Sequence, residues 1–269
     1  MLALMLIGCG AILAAAADFY YLGHPQKHRQ VAVGDEIPTV FLPGYWGSRF
    51  SFGHMLRRLV MDKQVVAIVK PNGRVQLRGH LQLGPHVAVQ VLFTQKRLRP
   101  DRQLAGLQAV VVALQKQADF DAINLVAHSM GGITALMYVI SQPPVPVRTL
   151  VSIAAPYNDL EVAKNDAIRN WPLLPSGPSQ TAPVYDFFQA HRQALPANLR
   201  WLNIAGDLFT GAAHDGVVGV NSSFAIRYLA QDHVADYHEV LIRGPRAAHS
   251  LLHENRLVDH DIEQFIWGK

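Results

Sequence analysis

Ser129 has the setting of a nucleophile. It lies in the run Ile123-Asn124-Leu125-Val126-Ala127-His128-Ser129-Met130-Gly131-Gly132, where a short apolar strand passes through small-x-Ser-x-Gly into a helix-like stretch. This is the pattern of a nucleophile elbow, a sharp strand-to-helix turn that lifts a serine hydroxyl clear of the sheet. The turn needs small neighbours because its backbone is strained and the helix packs close to the strand. Ala127 and Gly131 supply them, with alanine where glycine is the usual choice.

A neutral hydroxyl is a poor nucleophile. It needs a base within hydrogen-bond reach and a third group to orient that base. Hydrolases with such an elbow carry them in the chain order Ser, acid, His. The base belongs on the loop after the last strand. His249, in Gly244-Pro245-Arg246-Ala247-Ala248-His249 just before the final helix, meets that condition. His253 is the alternative, and His238 falls at the wrong end of its strand. For the acid there are two candidates. Asp207 directly follows a strand. Asp215 precedes Gly216, which lets the chain turn sharply and present the carboxylate inward, and is preferred. The oxyanion of an acyl intermediate needs backbone donors. The Met130 N–H, next after the serine, is one; the Tyr45 N–H, in Leu42-Pro43-Gly44-Tyr45-Trp46-Gly47, is the other.

These residues require strands that alternate with helices. Apolar β-rich runs at 37–42, 65–69, 87–93, 123–128, 148–154, 200–205 and 237–242 read as strands, with a further strand at 74–78. Helical spacing marks 51–61, 99–117, 131–140 and 256–267. Pro71-Asn72-Gly73 between two strand-like runs signals a hairpin. The alternation implies an α/β fold, a mostly parallel sheet covered by helices on both faces, with function at the carboxyl ends of its strands. Residues 156–199 are long, irregular and rich in Pro, Asn and Ser, and read as a cap insertion. Trp46 and the aromatic residues of the insertion, Tyr157 and Phe187 first and Trp171 and Phe188 with them, are candidate substrate contacts, although a mini-core packing the insertion would use the same residues.

Bulk composition narrows the function classes. The chain of 269 residues is 50% hydrophobic and 16% charged, enough for one large core and too apolar for disorder. Its net charge of +4 comes from scattered Lys and Arg, with no basic stripe interleaved with aromatics, so no nucleic-acid partner is expected. There is one cysteine, Cys9, and so no intrachain disulfide. No phosphate loop or dinucleotide fingerprint occurs. His249 and His253 are four residues apart, but Gly244 and Pro245 argue for a loop there and no His-Glu-x-x-His helix follows, so no metal and no other cofactor are expected. Residues 1–17 carry no charge. They read as a signal or anchor, with Leu6-Ile7-Gly8-Cys9 resembling a lipobox, and residues 1–29 as anchor plus tether to a catalytic domain at 30–269. A buried N-terminal helix is the alternative.

Five segments occur in a distinctive order: Leu42-Pro43-Gly44, Lys70-Pro71-Asn72-Gly73-Arg74-Val75, Ala127-His128-Ser129-Met130-Gly131-Gly132, Asp215-Gly216-Val217-Val218 and His249-Ser250-Leu251-Leu252-His253-Glu254-Asn255. Together they resemble a family of lipase-like α/β-hydrolases from Gram-positive bacteria, cell-surface hydrolases of uncharacterised substrate. The resemblance covers residues 35–269, and departs from the family in having Ala127 where glycine is usual. It implies the α/β-hydrolase fold, serine-hydrolase activity with Ser129, Asp215 and His249 as the triad, and export with an N-terminal anchor. The expected reaction is cleavage of a small-molecule or lipid ester through an acyl-serine, by a monomer at the outer face of the membrane. An acyltransferase or peptidase using the same triad, or a non-catalytic surface protein on the same scaffold, are the competing readings.

Overall fold

The computed structural model describes residues 37–59, 61, 63–159 and 168–268. The expected anchor and tether at 1–29, with Cys9, and part of the insertion lie outside the described residues.

An eight-stranded sheet forms the centre. Its strands are β1 (Thr39–Leu42), β2 (Lys63–Val69), β3 (Val75–Arg78), β4 (Val87–Phe93), β5 (Ile123–His128), β6 (Val147–Ile153), β9 (Arg200–Asp207) and β10 (Asp236–Arg243). The order across the sheet is β10-β9-β6-β5-β1-β4-β2-β3. Every pairing is parallel except that of β3 with β2. That exception is the Asn-Gly hairpin: Gly73 takes φ 77°, and the Lys70 N–H donates to the Arg74 carbonyl at 2.9 Å. From β1 the chain crosses to β2, turns through β3 and returns to place β4 between β1 and β2, all on one side. From β5 it builds on the other. The crevice between the carboxyl ends of β1 and β5 is therefore the topological switch point, where ligands bind in open α/β sheets.

The strands alternate their side chains between two apolar layers, as a pleated sheet must. In β1, Val40 and Leu42 join one layer while Phe41 joins the other; in β5, Ile123, Leu125 and Ala127 face one and Val126 the other. The larger layer packs under α2 (Pro100–Gln115) and α3 (Met130–Ile140), through Leu107, Val110, Leu114, Ile133 and Leu136. The opposite layer packs under α1 (Phe50–Arg58) and α7 (Arg256–Trp267), through Phe52, Met55, Val258 and Ile262. Two short helices, α5 (Val220–Phe224) and α6 (Arg227–Ala230), lie between β9 and β10.

The insertion contains a two-stranded hairpin, β7 (Leu173–Leu174) with β8 (Gly177–Pro178), and α4 (Pro183–Ala190). Asn158 ties the start of the insertion to its later part, and its backbone N–H joins the scaffold by donating to the Ser222 carbonyl at 3.2 Å. Its amide donates to the Gln180 carbonyl at 2.8 Å and its side-chain oxygen accepts from the Ala182 N–H at 2.7 Å.

Candidate active site

Strand β5 ends in the elbow. Ser129 has φ 57° and ψ −131°, a backbone conformation that L residues rarely adopt and that a close-packed turn must enforce. Its N–H donates to the Ile153 carbonyl at 2.8 Å, and its own carbonyl accepts from the Gly132 N–H at 2.8 Å. Within the elbow, residues 127–132, positive φ is confined to the serine. Ala127 is absent from the residues with positive φ, so it needs no glycine freedom there, and its methyl packs into the core. Two glycines are required by contact. A Cβ on Gly131 would lie 2.5 Å from the Leu42 carbonyl oxygen. One on Gly44 would lie 2.8 Å from the Ser129 Cβ.

His249 lies on a loop that enters through Gly244, at φ 105°. Its Nε2 is 3.0 Å from the Ser129 Oγ and its Nδ1 is 2.7 Å from the Asp215 Oδ2. The acid and base loops are also joined through backbone, the His249 N–H donating to the Asp215 carbonyl at 2.9 Å. The other carboxylate oxygen of Asp215 accepts from the N–H groups of Val217 and Val218, at 2.8 and 2.7 Å. Asp215 is buried and its carboxylate is fixed in direction, so it orients the imidazole tautomer that leaves Nε2 facing the serine. Such a chain can take a proton from the hydroxyl as it attacks and return it to a leaving group. Asp207 is elsewhere. It closes its own turn by accepting from the Phe209 N–H at 2.9 Å, and faces Arg243 at 4.0 Å.

A cleft of about 440 Å³ opens over Ser129. Tyr45, Trp46, Pro156, Val217 and Val218 line it, with Met130, His128 and His253. Met130 is the first residue of α3, so its N–H has no partner within its own helix. Trp46 is held at φ 57° with the Arg97 guanidinium 4.5 Å from its ring centre. The expected contacts from the insertion are placed differently. Tyr157 is fully buried in the core, edge-on to Trp201 at 5.6 Å and to Phe188 at 6.1 Å. An aromatic ring there removes more apolar surface from water than one lining an open cleft. Phe187 lies on the half-exposed side of α4 against Phe188 and His191. Trp171 stacks under Arg169. None of these lines the cleft. The insertion instead braces the acid loop: the Asn170 amide donates to the Ala212 carbonyl at 2.9 Å, and its oxygen accepts from the Asn221 N–H at 2.8 Å.

Beneath the base loop lies a charged cluster that the sequence did not announce. Arg58 of α1 is buried and forks onto Asp259 of α7, with Nη2 3.0 Å from Oδ1 and Nε on Oδ2. Its Nη1 reaches Glu254 at 3.1 Å and its Nη2 the His253 carbonyl at 3.1 Å. Burial works to lower the Arg58 pKa, but hydrogen bonds and charge from Asp259 and Glu254 outweigh it and hold the guanidinium charged. Glu254 also takes His54 and His253, at 3.1 and 3.3 Å. Burial works against its charge. The hydrogen bonds of His253 and Arg58 prevail, and its pKa is lowered. The partners are some 200 residues apart in sequence, beyond any local signal.

The run 249–255 thus has a structural meaning at each end. His249 meets Ser129, Leu252 enters the core, Glu254 binds Arg58, and Asn255 caps α7 by accepting from the Leu257 N–H at 2.9 Å while donating to the Arg246 carbonyl at 3.2 Å.

A family model described as alpha/beta hydrolase of unknown function (DUF915) matches residues 26–269. Among solved structures, the lin2722 gene product of Listeria innocua is similar, with a TM-score of 0.77 and 26% identity over 86% of this chain and 94% of that one. A candidate cell surface hydrolase from Lactobacillus plantarum WCFS1 superposes with a TM-score of 0.67 at 23% identity, covering 85% of this chain and 90% of its own. The esterase Pf2001 of Pyrococcus furiosus has a TM-score of 0.52 at 13% identity, covering 93% and 95%. The last two likenesses bear on the fold alone. No curated protein matches the chain.

Proposed function

The chain belongs to the α/β hydrolases of unknown function (DUF915), and on that premise we propose that it is a serine hydrolase that cleaves carboxylic esters through an acyl-serine intermediate. One observation carries this reading: a strained serine at 3.0 Å from an imidazole that a buried carboxylate orients at 2.7 Å. In the proposed reaction Ser129 attacks the ester carbonyl as His249 takes its proton. The Tyr45 and Met130 N–H groups stabilise the oxyanion. His249 then protonates the departing alcohol, and water, activated by the same imidazole, releases the acid. Asp215 keeps the imidazole in position throughout. Trp46 with Val217 and Val218 contributes apolar walls for an acyl or alkyl group.

The test is hydrolysis of an acyl-chain series of p-nitrophenyl esters by the wild type beside Ser129→Ala. Turnover that vanishes in the variant while its fold is kept supports the reading, and the chain-length profile separates esterase from lipase. Turnover that persists in Ser129→Ala would sink it.

We further propose that residues 30–269 are the catalytic unit, exported as a monomer and held at the outer face of the membrane by the anchor and tether at 1–29. Support comes from the uncharged run at 1–17 and the likeness to a candidate cell surface hydrolase. Among the described residues no helix is long and apolar enough to cross a membrane. Protease shaving of intact cells that leaves the chain untouched would contradict export.

A further inference from the structure

We infer that the cleft-bearing face is a docking surface for an anionic lipid bilayer, so that esters reach Ser129 from the membrane; this rests on the hydrolase reading above. The strands are parallel, so the loops after β1, β4, β9 and β10 share one edge of the sheet. Ten large apolar side chains are exposed among the described residues, and six of them belong to three of these loops and the start of α1. They are Tyr45, Trp46, Phe50, Phe209, Val217 and Leu251. Tyr45, Trp46 and Val217 line the cleft itself, and Phe50 and Leu251 are next in sequence to lining residues Ser51 and Ser250. A ring of apolar side chains around a cleft marks an interaction site rather than ordinary surface.

Charge on the same loops has one sign. Residues 43–50, 94–99, 208–219 and 244–251 contain Arg49, Lys96, Arg97, Arg99 and Arg246. Their only carboxylate is Asp215, which is buried on His249. Arg99 is partly offset by Asp101 at 3.3 Å, and at the strand ends Arg243 faces Asp207. Arg49 and Arg97 are exposed, and Arg97 lies on the Trp46 ring, pairing a cation with an aromatic side chain at the rim. Aromatic side chains that enter the headgroup layer, flanked by arginines that meet anionic headgroups, are how a surface is held at a bilayer. The occupant must also leave the cleft usable. A protein seated on this ring would close the route to Ser129, whereas a bilayer supplies acyl esters to it.

The experiment uses the full chain in a Ser129→Ala background, so that lipid is not consumed, with Cys9→Ser. An environment-sensitive NBD group is attached at Phe209→Cys, exposed on the loop after β9, or at Val112→Cys, an exposed position on α2. On phosphatidylglycerol-containing vesicles the Phe209→Cys probe brightens severalfold and is quenched by brominated acyl chains, while the Val112→Cys probe is not. Arg49→Ala and Arg97→Ala each weaken binding to these vesicles, by about fivefold per charge removed, and change little on pure phosphatidylcholine. Three results would overturn the inference. One is equal responses from both probes. Another is binding indifferent to Arg49, Arg97 and lipid charge, which would assign it to the N-terminal segment. The third is a Phe209→Cys signal that rises with protein concentration without vesicles, which would make a second copy of the chain the occupant. Wild-type hydrolysis of dissolved p-nitrophenyl acetate is read in parallel. If it persists while docking fails, only the bilayer face is lost; if it is absent, the hydrolase reading fails independently.

Discussion

The His128 ring donates its Nε2–H to the backbone carbonyl of His249 at 2.9 Å, and the two rings lie 4.6 Å apart. The residue just before the candidate nucleophile thus holds the loop of the candidate base. His253 closes the stack, edge-on to His128 at 4.9 Å. A carbonyl accepts only from a protonated nitrogen, so this bond defines which ring nitrogen carries the hydrogen.

Burial first, and then the neighbouring His249 and His253, hold the His128 pKa well below the usual 6.5. As pH falls below that value the unfolded chain takes a proton at this position and the folded chain does not. The unfolded state then binds more protons, so this group costs stability on acidification, by up to about 1.4 kcal/mol per pH unit, until the folded state is protonated too. His128→Gln keeps a donor for the carbonyl and removes the titration. Urea denaturation midpoints followed from neutral to acid pH should therefore fall less steeply in the variant than in the wild type. Parallel curves would show that His128 is not the buried neutral group described.

The two candidate acids separate cleanly. Asp215→Asn leaves a carbonyl oxygen and an amide where a carboxylate orients the imidazole, and turnover should drop on the order of 10⁴-fold. Asp207→Asn retains an oxygen to accept from the Phe209 N–H and should stay within about threefold of wild type, since its recorded partners, Phe209 and Arg243, lie outside the Ser129–His249–Asp215 chain. Esterase kinetics on both variants decide the matter; comparable losses would mean that Asp207 has a part in the chemistry.

Gly44→Ala places a methyl carbon 2.8 Å from the Ser129 Cβ and 3.2 Å from its Oγ. The loop carrying the Tyr45 N–H has to retreat. If that N–H serves the oxyanion, kcat should fall on the order of 10²–10³-fold with a smaller change in KM. Steady-state kinetics beside a thermal melt distinguishes this from unfolding.

Arg58→Met strips the guanidinium from two carboxylates in a buried setting, Asp259 and Glu254, of which Glu254 keeps His54 and His253. Removing one member of such a cluster costs about 3–5 kcal/mol. Chemical denaturation should show that loss, with Arg58→Lys recovering part of it because lysine restores the charge but not the fork. Because α1 and α7 meet the base loop through this cluster, the variant should also lose activity below its unfolding range.

Much of this architecture is legible in the sequence because it rests on local signals. The final helix at Arg256–Trp267 shows a clear apolar face, and the β2–β3 hairpin has its Asn-Gly turn. Ser129, Asp215 and His249, selected by chain order and loop position, do meet in space. What escapes is tertiary. Spacing marks no helix at 220–224, yet α5 forms there, because Val220 and Phe224 pack inward and Asn170 and Asn158 take up the N–H of Asn221 and the carbonyl of Ser222. The aromatic residues of the insertion carry no mark that tells core from cleft, and Tyr157 and Phe188 went to the core. Arg58, Glu254 and Asp259 come from distant segments, and no spacing rule joins them.

Intact-mass analysis of the chain after exposure to a fluorophosphonate tests the central claim most directly. A nucleophile activated as described gives a single phosphonyl adduct that maps to Ser129, is absent from Ser129→Ala and forms far more slowly in His249→Gln. Folded wild-type protein that gains no adduct, or gains one at another residue, would contradict it.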